Sequence, residues 1–161
     1  MPLLPSDHQK FMSIAISIAQ AGMRSGAGGP FGAIVVKDGE IIGRGHNIVL
    51  AQNDPTSHAE IIAIRDACSH LGHFQLTGCT IYTSCEPCPM CLGAIYWARP
   101  DRFFYACTRS DAANIGFDDQ FIYQEFNLDP ISRSIPATQI GQEQSLKVFE
   151  EWKTIDDKTL Y

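Results

Sequence analysis

Two short segments restrict this chain more than anything else in it: His58-Ala59-Glu60, and later Pro87-Cys88-Pro89-Met90-Cys91. They supply one imidazole, two thiols and one carboxylate. Side chains from separate segments can share one atom only if the fold opens both segments at the same edge. Imidazole nitrogen and thiolate sulfur are preferred zinc ligands. Structural zinc sites close all four positions, whereas catalytic ones use three protein ligands and leave the fourth to water. His58, Cys88 and Cys91 make three. Glu60 stands beside a ligand without being one, the place for a group that takes a proton from water and passes it on. A lone Cys-x-x-Cys is weak evidence, but both halves in this order, with Pro87 ahead of Cys88, are strong.

The rest of the chain explains how the halves could meet. Ser6 and Gln9 have capping-box spacing, and Phe11, Ile14, Ile18 and Met23 recur on one face, so a helix is predicted from residue 7 to about residue 24. The run 26–30, Gly-Ala-Gly-Gly-Pro, ends it. Residues 33–36 and 40–43 flank Asp38-Gly39, a hairpin signal. A loop over 51–57 precedes a helix over 58–70, with Gly72 beyond its end. A strand at 80–83 runs into the cysteine segment, which opens a helix over 88–98. Arg99-Pro100 stops that helix ahead of a strand at 102–106. Weaker patterns place helices near 110–114, 119–126 and 143–153. This order implies an α/β fold, a three-layer α/β/α sandwich around a mixed sheet. In such a sheet both metal-bearing helix starts open at one edge, where ligand clefts form. Cys88 and Cys91, three apart, share a helix face, and a helix N-terminus favours thiolate.

Composition narrows the function. A chain of 161 residues is expected to form one domain, with 45% apolar and 19% charged residues. No apolar run is long enough to cross a bilayer, and the stretch MPLLPSDHQK lacks the basic flank and apolar core of a secretion signal, so a cytoplasmic location is expected. In a reducing compartment, clustered cysteines point to metal or catalysis rather than disulfides. The net charge of −6 gives no basic stripe, which argues against a nucleic-acid partner.

Plainer readings compete at each position. Ser57 and Glu60 have capping-box spacing, and alone that reading would prevail over catalysis. The run Cys85, Cys88, Cys91 could be a redox pair or part of a cluster site, and spacing does not say whether Cys85 or Cys91 partners Cys88. Cys68, Cys79 and Cys107 read as small core residues. His8, His46, His70 and His73 lack ligand spacing.

The pattern His-x-Glu followed by Pro-Cys-x-x-Cys is the signature of zinc nucleobase deaminases. Around it the chain resembles the cytidine-deaminase-like zinc hydrolase superfamily and, within it, the bacterial guanine deaminases. Residues 29–33, Asn53-Asp54-Pro55-Thr56, the block SCEPCPMCLGAIYWARP over 84–100, Asp111-Ala112-Ala113, Gly116-Phe117-Asp118-Asp119 and the final Tyr161 carry the likeness, which starts at about residue 10. The resemblance implies a sheet of about five strands and one Zn2+ per subunit, held by His58, Cys88 and Cys91, with Glu60 as proton shuttle and Cys85 a neighbour only. It implies a purine-base pocket in which Asn47 and the Ala59 backbone hydrogen-bond the base, Phe31 stacks on it and Trp97 lines it. Asp119 would accept hydrogen bonds from the base edge and serve in a second proton transfer. Without the resemblance, core packing is the commoner role for Phe31 and Trp97, a turn cap fits Asn47, and a helix cap fits Asp119. The resemblance further implies a homodimer that exchanges residues 143–161, bringing Tyr161 to the partner's site.

The activity these residues imply is hydrolytic deamination of guanine to xanthine and ammonia. Rival readings are a deaminase of guanosine, cytosine or adenosine in tRNA, and a zinc-stabilised binding module. The last would need a fourth protein ligand, such as Cys85.

Overall fold

A tight turn at Asp38-Gly39, both in the left-handed region, joins strands β1 (Gly32–Lys37) and β2 (Glu40–His46) as the sequence predicts. In this computed structural model, which describes residues 4–161, the two strands pair antiparallel, Gly32 opposite His46. Residues 1–3, part of the segment read as lacking a secretion signal, lie outside the described chain. Strand β1 also pairs antiparallel with β3 (Cys79–Cys85), and β3 pairs parallel with β4 (Arg102–Cys107). The sheet is mixed, with order β2-β1-β3-β4. It has four strands where about five were expected: the described residues beyond Cys107 form helices and loops.

The contacts divide the described chain into two compact units, one ending at Asp119 and the other running Gln120–Tyr161. In the first, the central strands alternate their side chains between two cores. Ile34, Val36 and Tyr82 face Phe11 and Ala15 of helix α1 (Pro5–Arg24). Ala33, Val35, Cys79 and Ile81 face Ala59, Ala63 and Ala67 of helix α3 (Ala59–Leu71) and Ile95 and Ala98 of helix α4 (Pro89–Ala98). Helices therefore cover both faces, which is the expected α/β/α sandwich. Each fully buried branched side chain here contributes about 1.5–3 kcal/mol.

Several local expectations are corrected. Helix α1 starts at Pro5, and its first turn is held by the carboxylate of Asp7, which accepts from the Leu4 N–H at 2.9 Å; Ser6 does not cap it. Met23 is exposed, and the buried stripe runs through Phe11, Ala15 and Ala19. A four-residue helix, α2 (Val49–Gln52), occupies part of what read as loop. Strand β2 extends past the expected residues 40–43, to His46, through Gly43 and Gly45. Their reason is close approach: a Cβ on Gly45 would collide with the carbonyl of Ala59, the first residue of α3. Cys107 is exposed, not core.

Beyond β4, helix α5 (Arg109–Asn114) starts at a Thr108–Asp111 capping box. The second unit holds α6 (Gln120–Glu125), a 3-10 turn (Pro130–Ser132) and α7 (Gln142–Lys153). Many of its large apolar side chains, among them Ile140, Leu146, Phe149 and Trp152, are exposed.

Candidate active site

His58 and Cys88 are the residues that cap α3 and α4, and each helix begins one position later than expected. Both helix starts therefore open at one edge of the sheet. The Ser57 capping box is not made: its hydroxyl is within hydrogen-bond reach of Asp54 and Gln52, so Glu60 is free of a capping role. Cys88 accepts a long hydrogen bond from the Cys91 N–H at 3.5 Å, as a thiolate at a helix N-terminus should. His58 Nδ1 lies 3.5 Å from Cys88 Sγ and 3.5 Å from Cys91 Sγ.

Those separations fit a particular metal. Zinc bonds nitrogen at about 2.0–2.1 Å and thiolate at about 2.3 Å, so a tetrahedral centre holds nitrogen and sulfur ligands about 3.5 Å apart. The three donor atoms lie within 4.8 Å of one another, and they are the only such group among the described residues. Cys85, the alternative partner, lies outside it and directs its thiol to the Thr108 carbonyl at 3.6 Å; burial pushes that thiol up to about 11.

The two thiols are held at opposite proton affinities. The neighbouring Cys91 thiol and His58 bring Cys88 down to about 4 despite its burial. The nearby Cys88 sulfur and burial push Cys91 up, so binding a metal would displace its proton. Hydrogen bonding to the Cys88 thiolate raises His58. Glu60, 6% exposed, is raised above the usual carboxylate range by burial. Its Oε1 accepts from the Thr83 hydroxyl at 3.1 Å, and its Oε2 faces the Cys91 thiol at 3.3 Å. Glu60 thus touches the cluster without joining it.

A cavity of about 540 Å³ opens over this group, a size suited to a small molecule. Phe31, Asn47 and Asp119 line it with His58, Glu60 and Cys88. Phe31 is half-buried and meets Phe117 edge to face, with ring centres 5.0 Å apart. Asn47 caps the turn around it, its Oδ1 accepting from Gly29 and Val49 N–H. Burial raises Asp119 above the usual carboxylate range. Ala59 is fully buried at the start of α3.

Trp97, expected to line the pocket, is 64% exposed on α4 and is not among the residues lining the cavity; Tyr161, expected to reach a partner's site, is 70% exposed in the second unit. The sequence reading missed Thr83, whose signal was a polar residue on the buried, α3-facing side of an apolar strand. It also missed the Glu86–Arg109 pair at the cavity, Nε to Oε1 3.1 Å, which carried no motif of its own.

Residues 5–107 match the cytidine and deoxycytidylate deaminase zinc-binding region. The chain is 52% identical to guanine deaminase of Bacillus subtilis over 96% of its length and 99% of that protein. The crystal structure of guanine deaminase from that organism superposes with a TM-score of 0.93 over 96% of this chain and 98% of that one. A tRNA-specific adenosine deaminase of Aquifex aeolicus is 41% identical over 60% of this chain and 63% of its own. A motif of three zinc donors and one unattached acid, on a fold shared along nearly the whole chain, leads to one conclusion. The chain belongs to the zinc-binding cytidine and deoxycytidylate deaminase family.

Proposed function

We propose that this protein is a zinc-dependent guanine deaminase, releasing xanthine and ammonia by hydrolysis. The observation that carries the reading is extent: similarity to the Bacillus subtilis guanine deaminase spans 96% of the chain, far past the shared zinc region that ends at residue 107. The tRNA-specific adenosine deaminase matches over 60%, and the net charge of −6 does not suit a polyanionic substrate.

His58, Cys88 and Cys91 would hold zinc, which would supply Lewis acidity toward water for hydrolysis at the ring carbon bearing the amino group. The other steps belong to the chain. Phe31 packs against the base, a contact worth about 1–3 kcal/mol but indifferent to which base it is. The Asn47 N–H2 donates to the purine carbonyl, and the Ala59 backbone adds a contact. Glu60 Oε2 takes the proton from water and delivers it to the ring nitrogen beside the reacting carbon. The departing amine receives its proton from Glu60 or Asp119, and Asp119 also accepts from the base edge.

The exposed apolar side chains of α7 and of the segment before it support a homodimer that exchanges residues 143–161, with Tyr161 reaching the partner's site. Two thiols kept free for metal suit a reducing cytoplasm. None of the described helices is long and apolar enough to cross a membrane.

Ammonia release from zinc-loaded protein, measured on guanine, guanosine, cytosine, adenine and tRNA, tests the reading. Guanine is expected to lead by at least tenfold in kcat/KM. Preference for a nucleoside or for tRNA would replace the substrate assignment.

A further inference from the structure

We propose that Thr83 is a positioning residue for Glu60, fixing which carboxylate oxygen works. The inference rests on the proton-shuttle reading of Glu60. Thr83 sits on β3, 1% exposed, on the side of the sheet that faces α3 and α4. Its Oγ1 lies 3.1 Å from Glu60 Oε1 and 3.1 Å from the Cys85 carbonyl. The hydroxyl has one hydrogen and so donates to one of the two acceptors at a time. A carboxylate's terminal torsion is broad and roughly two-fold, so without a partner the two oxygens of Glu60 exchange places readily. Thr83 removes that symmetry. It holds Oε1 against the strand and leaves Oε2, 3.3 Å from Cys91 Sγ, on the side of the metal-binding cluster. On the same strand Ile81 is apolar, Tyr82 packs in the other core, the Ser84 hydroxyl accepts from the Gly32 N–H at 3.0 Å and the Cys85 thiol points to the Thr108 carbonyl, so none of these substitutes for the Thr83 hydroxyl.

The test compares Thr83→Val, which removes the hydroxyl at similar size, with Thr83→Ser, which keeps it. In zinc-loaded protein, Thr83→Val is expected to lower kcat on guanine by about tenfold to a hundredfold, the scale of a lost hydrogen bond to a charged group, with KM within about threefold. Thr83→Ser is expected to restore kcat to within about threefold of the parent. A crystal structure of Thr83→Val should show the Glu60 carboxylate turned or in two orientations, with zinc still bound. Should Thr83→Val fail to fold, Thr83→Ala carries the same comparison. Parent-like kcat without the hydroxyl, or an unmoved Glu60 carboxylate, overturns the inference. Absence of guanine deamination in the parent protein overturns the functional reading instead, and the Glu60 orientation then decides the role of Thr83 by itself.

Discussion

Glu60→Gln is expected to keep one zinc per chain while losing at least about 10²–10⁴-fold in kcat on guanine, the usual contribution of a positioned acid–base group. The substitution is close to isosteric, and a glutamine Oε1 can still accept from Thr83, so the buried pocket keeps its shape. The amide cannot take a proton from water or return it to the ring nitrogen. Metal content by elemental analysis, alongside steady-state ammonia release, checks both halves. Comparable turnover in the variant would remove Glu60 from the mechanism.

Cys91→Ser is expected to lose zinc and, with it, essentially all turnover, whereas Cys85→Ala leaves metal content unchanged. Removing partners outside the ligand set typically costs about 10–100-fold in metal affinity, and loss of a thiolate ligand should exceed that. The contrast follows from geometry: Cys91 Sγ is 3.5 Å from His58 Nδ1, and Cys85 points away to a backbone carbonyl. Zinc binding also stabilises the fold by mass action. At a hundredfold excess of free zinc over its Kd the contribution is about 2.7 kcal/mol, which Cys91→Ser forfeits and Cys85→Ala retains in thermal unfolding. Retention of zinc by Cys91→Ser, or its loss from Cys85→Ala, would reassign the ligand set.

The parts of this molecule that the sequence made legible are those governed by local rules. Asp38-Gly39 between apolar runs specifies a hairpin, and Gly72 marks the end of α3 because it adopts a positive φ there. Residue type and spacing point to a zinc site, because zinc admits few donors and needs them close, but choosing Cys91 over Cys85 took the family resemblance. What was obscured depends on partners distant in sequence. Why β2 carries Gly43 and Gly45 is visible only once α3 is laid across them. Ser57 looks like a helix cap until Asp54 and Gln52 draw its hydroxyl away. Thr83 reads as an ordinary strand residue, since its meaning lies in Glu60, 23 positions earlier. Beyond residue 107 the pattern is weaker because most of the elements are short, and apolar side chains such as Phe149 and Trp152 are exposed rather than packed in a core of this chain.

X-ray absorption at the zinc edge of the loaded parent protein tests the central claim most directly. The account predicts two sulfurs at about 2.3 Å and two nitrogen or oxygen atoms at about 2.0–2.1 Å, one of them exchangeable with solvent. A third sulfur, a centre closed by four side chains, or failure to hold zinc at all would contradict it.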